Sequence, residues 1–309
     1  MGTTNSNAIQ SAISSVAGNL AADDPLRLRI RDAAAAVRDT TPLAQSFTNF
    51  VTINFVANAQ LAAGGTAAMS FLASDIVDIA AICGATYVNV GTLLPFYRHA
   101  LREITAAFAE TGHRWVLDPV AAGLGADRTA ILTDMRATPP TIVRGNASEI
   151  ITLAAMWELP VDDDNDLDDS RDSRPNGVES ADDVESALGA AKALARFLAS
   201  KTPDGEAAVA VSGAVDLVTD GETVYRLPGG SAMMTKITGA GCSLGGVTAT
   251  YLCVADPLAA ALGASLLYNR ASERAAATSD GPGTFQQHFL DELWKVSPAA
   301  IASGDIVAE

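Results

Sequence analysis

The segment at 236–246, KITGAGCSLGG, passes from turn formers into a stretch with helical spacing, and it is where chemistry is easiest to read in the chain. Small residues in a row at a helix start let backbone N–H groups converge on one point, where the helix dipole adds positive potential. Such a segment is either an anion hole or a closely packed helix cap. Cys242 falls in the first turn, where a thiol's pKa tends to fall. The other reading of Cys242 is a buried, inert cysteine.

Two further segments stand at the ends of predicted strands, where α/β sheets bind ligands. LDPV at 117–120 puts Asp118 at a strand exit, and RGNASE at 144–149 flanks a sharp turn into a helix with Arg144 and Glu149. A carboxylate pair near an anion hole suits Mg²⁺, which takes one or two protein carboxylates together with waters and phosphates. Taken separately, each carboxylate also reads as a helix cap or a salt bridge. No G-x-x-x-x-G-K-[ST] occurs, so a nucleotide held here is held without a Walker loop. The three histidines, His99, His113 and His288, follow no metal-ligand or triad spacing. His99 and His113 bracket a predicted helix and read as surface residues.

These groups need a frame to hold them. Short apolar runs at 86–90, 114–118, 141–144, 207–212, 217–219 and 223–227 alternate with longer Ala-rich stretches of helical spacing at 50–63, 74–83, 96–111, 148–158 and 181–200. That alternation predicts βαβ crossovers around a mostly parallel sheet covered on both faces, a three-layer α/β fold. Beyond residue 227 the pattern is helical, at 241–254, 258–278 and 284–296. The chain divides into a polar extension (1–22), one domain (23–300) and a short C-terminal tail (301–309). An insertion at about 161–178, rich in Asp and turn formers, interrupts the domain. It has too little apolar area to offset its ordering entropy and reads as a surface loop. A calcium site at Asp164, Asp166 and Asp168 is the alternative, without the central glycine and closing Glu of an EF-hand.

Composition narrows the function. The 309 residues carry a formal net charge of −16 and are 49% hydrophobic, enough to bury a core without staples. Three cysteines with no C-x-x-C spacing argue against a disulfide framework, a zinc finger or a redox pair and point to a reducing cytoplasm. No basic stripe exists to neutralise phosphates, so nucleic acid is not an expected partner. No run of 18 apolar residues is present, so no membrane span is expected either. Only four of the 20 basic residues are lysine, and Asp outnumbers Glu by 25 to 11. This is similar to the surface of a halophile's protein, in which concentrated salt screens self-repulsion.

The order of the motifs then produces a resemblance. TNFVTINFVAN (48–58), GGTAAM (64–69), VNVGT (88–92), LDPV (117–120), RGNASE (144–149), SGAVD (212–216), TGAGC (238–242) and GPGTF (281–285) follow one another. The series resembles hydroxyethylthiazole kinase, a family of the ribokinase-like fold, over about residues 40–295. The Asn-rich first motif and Cys242, where most ribokinase-like enzymes carry Asp, are the specific features. The resemblance implies transfer of the ATP γ-phosphoryl group to the primary hydroxyl of 4-methyl-5-(2-hydroxyethyl)thiazole, a thiamine salvage step, with Mg²⁺. It implies that Asn49 and Met69 line the thiazole pocket, that Arg144 and Ser212 contact ATP phosphates, and that Asp118 and Glu149 organise Mg²⁺. Gly239, Ala240, Gly241 and Cys242 would then hold the transferring group beside the substrate hydroxyl. The family forms trimers with sites at subunit interfaces, so Met69 is expected from its own or a neighbouring subunit.

The chain departs from the family pattern at Ser212, where Thr is usual, and at Thr66, Ala67 and Ala68, where a Pro-containing turn is typical. Rival readings are a hydroxymethylpyrimidine kinase, a nucleotide-dependent hydrate dehydratase, and an ATP-binding regulatory protein without turnover. Cys242 and the 49–58 motif tell against the first two, and the retained Arg144, Asp118 and Glu149 against the third.

Overall fold

The computed structural model describes residues 18–161 and 181–309. The acidic insertion and its calcium alternative, and most of the N-terminal extension, lie outside the described residues. Nine strands form a single sheet among them, in the order β2-β1-β3-β4-β5-β6-β7-β8-β9. The strands are β1 (Leu43–Phe47), β2 (Thr66–Met69), β3 (Ala85–Asn89), β4 (Trp115–Asp118), β5 (Ile142–Asn146), β6 (Ala208–Ser212), β7 (Asp216–Thr219), β8 (Val224–Leu227) and β9 (Val307–Ala308). The pairings from β2 across to β6 are parallel, and those from β6 to β9 are antiparallel. The mostly parallel sheet expected from the alternation is present.

The helices are α1 (Pro25–Thr40), α2 (Ile53–Ala62), α3 (Ala73–Ala80), α4 (Tyr97–Thr111), α5 (Ala126–Asp134), α6 (Ala147–Met156), α7 (Ala181–Ser186), α8 (Leu188–Ala199), α9 (Ala240–Leu252), α10 (Pro257–Thr278), α11 (Pro282–Lys295) and α12 (Pro298–Ala302). Several begin where the sequence supplies an acceptor followed by proline. Asp24 accepts from the Leu26 amide before Pro25, Asp256 from Ala259 before Pro257, and Ser297 from Ala300 before Pro298. Such caps satisfy amides that the helix itself leaves open.

Period-two alternation sorts the strand side chains into two cores. Ala85, Tyr87, Val116, Ile142, Ala208 and Ala210 face α1, α2 and α9–α12, whereas Val88, Leu117, Val143, Val209 and Val211 face α3–α8. The same alternation places Asn89, Asp118, Arg144 and Ser212 on the face that α9 covers. All four lie at or near the carboxyl ends of their strands.

Several expectations are revised. Residues 66–69, where a Pro-containing turn is typical of the family, form the edge strand β2, and β1 lies in a stretch where no strand is expected. The helical stretch 181–200 is broken into two helices around Ala187. Residues 301–309 carry the end of α12 and then β9, with Ile306 and Val307 buried. Arg27 holds this end in place: it is buried, and donates to the carbonyls of Leu20, Ala302 and Gly304. Asn19 adds hydrogen bonds to Asp305 and to the Ile306 amide, both 2.9 Å. His113 is half-buried rather than on the surface, with Nε2 2.8 Å from Thr86 Oγ1. Burial and the nearby Arg114 charge push its imidazole down to about 4.

Candidate active site

Asp118 ends β4 and is 3% exposed. Its Oδ2 accepts from the Tyr87 hydroxyl at 2.8 Å and from Asn89 Nδ2 at 3.1 Å, and lies 3.9 Å from Arg144 Nη1. Burial raises the carboxyl, and Arg144 and the two hydrogen bonds only partly offset it. Arg144, also 3% exposed, donates from Nη1 to the Gly241 carbonyl at 2.7 Å and from Nη2 to Ser212 Oγ. Two of its five N–H donors are thereby used, and the buried Nε has no partner. The guanidinium ties β5 to β6 and to the start of α9.

Gly239 begins α9 at φ 90°, in the left-handed region, and a Cβ there would stand 2.8 Å from Thr52 Cγ2. A glycine is required at this turn on both counts. No side chain caps α9, as none caps α2–α5 or α8, and the first intrahelical bond is Ser243 N to Gly239 O at 2.8 Å. The amides of Ala240, Gly241 and Cys242 precede that bond and have no intrahelical acceptor, and amides so placed at a helix start can receive an anion.

Cys242 Sγ lies 3.5 Å from Asn49 Nδ2 and 3.4 Å from Asn89 Nδ2. The helix start was expected to lower the thiol's pKa. Instead burial, and then the Asp118 charge, raise it, because taking a thiolate out of water beside a carboxylate outweighs the dipole.

Glu149 is the third residue of α6 in a capping box with Asn146. Oε2 accepts the Asn146 amide and Oε1 the Ala121 amide, both at 2.9 Å. Burial and the Asp118 charge push its carboxyl up to about 7. Glu149 thus caps α6 and Asp118 pairs with Arg144, so one carboxylate serves as a helix cap and the other in a salt bridge, both within the same cluster.

Hydrogen bonds and close contacts thus bring together Asn49, Asp118, Arg144, Ser212, Gly241 and Cys242, with Gly239 and Ala240 at the helix start and Glu149 alongside. Met69 is not joined to them: it ends β2 opposite Ser46 and packs against the core on the side of the sheet where α2 lies. Tyr87 and Asn89 are the members without an expected role. A Tyr-x-Asn pair at a strand end, in register with Asp118, is the signal that could have found them.

No cluster of three or more metal-ligating side chains exists among the described residues. The two carboxylates fit a hard cation that takes its other ligands from water and phosphate. Asp118 Oδ1 has no protein hydrogen-bond partner among the described residues, and each carboxyl is raised by burial, which a cation would relieve. Among the described residues, no helix is long and apolar enough to cross a membrane.

A model of the hydroxyethylthiazole kinase family matches residues 34–299. The chain belongs to the hydroxyethylthiazole kinase family. It is 63% identical over 295 residues to a protein of that name from Bifidobacterium longum subsp. infantis, covering 93% of each chain. A Bifidobacterium adolescentis protein of the same name is 63% identical over 282 residues, 91% of this chain and 95% of that one. The structure of a hydroxyethylthiazole kinase protein from Pyrococcus horikoshii superposes with a TM-score of 0.74 at 27% identity, covering 91% of this chain and 98% of the other. Pyridoxal kinase from Staphylococcus aureus, at 14% identity and TM-score 0.51 over 75% of this chain and 87% of its own, shares the fold. The expected family and ribokinase-like architecture hold.

Proposed function

We propose that this chain transfers the γ-phosphoryl group of ATP to the hydroxyl of 4-methyl-5-(2-hydroxyethyl)thiazole in thiamine salvage. Family membership makes it an ATP-dependent kinase with an alcohol acceptor. The observation that carries the residue roles is the meeting of an uncapped helix start, a buried Arg144 and a buried Asp118 around the Cys242 sulfur.

Arg144 and Ser212 would contact the nucleotide phosphates, the guanidinium using donors that Gly241 and Ser212 leave open. Asp118 and Glu149 would hold Mg²⁺, which would supply positive charge against the negative charge that develops on the transferring phosphoryl group. The amides from Ala240 to Cys242 would receive the transferring phosphoryl group. Asn49 and Met69 would line the thiazole pocket. Phosphoryl transfer is loose, so the acceptor hydroxyl needs orientation more than early deprotonation. Cys242, a neutral thiol at pH 7, suits that task.

The family's trimer is part of this reading, with Met69 near a subunit boundary. An apolar surface supports it: Phe50, Val51, Leu72 and Phe96 are exposed, and Phe50, Phe71, Tyr97 and Phe96 join ring to ring across the same end of the sheet. Apolar patches of this kind mark interaction surfaces.

The test is ADP release with Mg-ATP, with and without the thiazole alcohol, at low and molar KCl, alongside light scattering for mass. Hydroxymethylpyrimidine serves as the control acceptor. Thiazole-dependent turnover by a trimer is expected, and turnover with the pyrimidine alone would overturn the substrate assignment. Higher activity in molar KCl would support the halophilic surface.

A further inference from the structure

Asn89 ends β3 in register with Asp118 and is fully enclosed, as is Tyr87 two residues before it. Its amide has one orientation. Oδ1 accepts the Gly91 amide at 2.9 Å, which only an oxygen can do, so Nδ2 faces the opposite way. There Nδ2 lies 2.8 Å from the Tyr87 hydroxyl, 3.1 Å from Asp118 Oδ2 and 3.4 Å from Cys242 Sγ.

Asn49 is fixed by the same logic. Its Oδ1 accepts the amides of Val51 and Thr52, both at 3.2 Å, which leaves Nδ2 for Asn89 Oδ1 at 3.0 Å and Cys242 Sγ at 3.5 Å. Two glycines make room for the arrangement. A Cβ on Gly91 would stand 2.8 Å from Asn89 Oδ1 and 3.0 Å from Asn49 Nδ2, and one on Gly245 would overlap the Tyr87 ring.

We infer that Asn89 is a positioning residue that couples Asn49 on the acceptor side to Asp118 on the metal side, around the Cys242 sulfur. The inference rests on the kinase reading above. The two halves of the amide do different work: Oδ1 holds Asn49, and Nδ2, with the Tyr87 hydroxyl, holds Asp118 Oδ2 so that Oδ1 of Asp118 stays unpartnered. Two amide hydrogens face three acceptors, so one side chain bears on both the orientation of Asp118, with Tyr87, and the environment of the sulfur, with Asn49. Substitution can separate the halves. Asn89→Asp keeps an oxygen for Asn49 and Gly91 but replaces the amide donors with a second carboxyl beside Asp118, Asn89→Ala loses both, and Tyr87→Phe removes one donor to Asp118 and leaves Asn89 intact.

The experiment measures two quantities on wild type and the three variants: equilibrium binding of hydroxyethylthiazole by calorimetry without nucleotide, and kcat at saturating substrates. Asn89→Ala is expected to weaken thiazole binding about tenfold and lower kcat about a hundredfold, the range seen when supporting hydrogen bonds are removed. Asn89→Asp should bind thiazole within about threefold of wild type while losing as much kcat as Asn89→Ala. Tyr87→Phe should bind thiazole as wild type does and show a lower kcat. A merely structural Asn89 would reduce the melting temperature and the active fraction without moving the binding constant.

Wild-type-like binding by Asn89→Ala, or binding by Asn89→Asp no tighter than by Asn89→Ala, overturns the inference. If Asn89→Ala does not fold, wild-type kcat in Tyr87→Phe or weakened binding in Asn89→Asp overturns it. A wild type that neither binds nor phosphorylates the thiazole refutes the kinase reading itself, a result distinct from an active wild type with unseparated variants.

Discussion

Glu149 Oε1 accepts the backbone amide of Ala121 at 2.9 Å, so the carboxylate that opens α6 also fixes the loop leaving β4. Ala121 sits at φ 57°, a left-handed conformation unusual outside glycine. The Glu149 carboxylate therefore holds a strained turn three residues after Asp118 as well as completing its own helix cap.

That double duty bears on mutational ranking. Cys242→Ala should lose on the order of tenfold in kcat, since a loose transition state asks little of a base. Asp118→Ala and Glu149→Ala should each lose at least about a hundredfold, the scale of removing a preorganised charge. Glu149→Gln separates chemistry from capping, because it keeps an acceptor for a backbone amide and should retain most of the melting temperature while losing kcat. ADP release checks the order, and a Cys242→Ala enzyme as inactive as the carboxylate variants would refute it.

Glu149 also gives a pH signature. Its native pKa of about 7 lies above the ordinary 4.5, so between these values the native state holds a proton that the unfolded chain releases. The stability this contributes is present below pH 4.5 and is lost as pH rises through 7, with a ceiling of about 3 kcal/mol. Without divalent metal, wild type should lose stability relative to Glu149→Gln between pH 5 and 7.5. A difference that does not change with pH in denaturant titrations would contradict the raised value.

His113 works in the other direction. Its native pKa of about 4 lies below the ordinary 6.5, so the unfolded state takes up the proton first. The resulting stability is present above pH 6.5 and is lost as pH falls toward 4, again at most about 3 kcal/mol. The His113 ring signals in an NMR titration should stay constant from pH 8 down to about 5. A midpoint near 6.5 would show the imidazole to be solvated.

Gly239→Ala should cost about 1–3 kcal/mol from the left-handed φ alone, plus the clash with Thr52. Gly205→Ala is the control: it shares the positive φ, at 73°, but a Cβ there meets nothing within 4 Å. Both variants should melt earlier, and only Gly239→Ala should lose kcat as well. Equal kcat in the two would mean that the start of α9 tolerates displacement.

The sheet was legible where strands were apolar and long, as in AVAVS of β6. It was not legible where polar residues are buried inside strands. Gln45 and Ser46 on β1 are enclosed because Gln45 reaches Ile76 O and Thr86, and Ser46 reaches Gln60. Those partners come from elsewhere in the chain, and no local pattern announces them. The two-residue β9 is visible only through its pairing with β8. At the candidate site, residue types and strand ends could be read in sequence. The thiol's raised pKa and the Tyr87–Asn89–Asp118 triangle could not, because both depend on which side chains become neighbours once α9 lies across the sheet.

Arg27 and Asn19 strap residues near 20 to residues 302–306, and this junction lies at the β9 edge, opposite β2. A biotin or dye attached after Glu309 would therefore sit across the sheet from the apolar surface around Phe50 and Leu72. Protein captured on a sensor chip by that end would present the opposite edge to solution, so that a test of whether further copies of the chain bind there would not be blocked by the support.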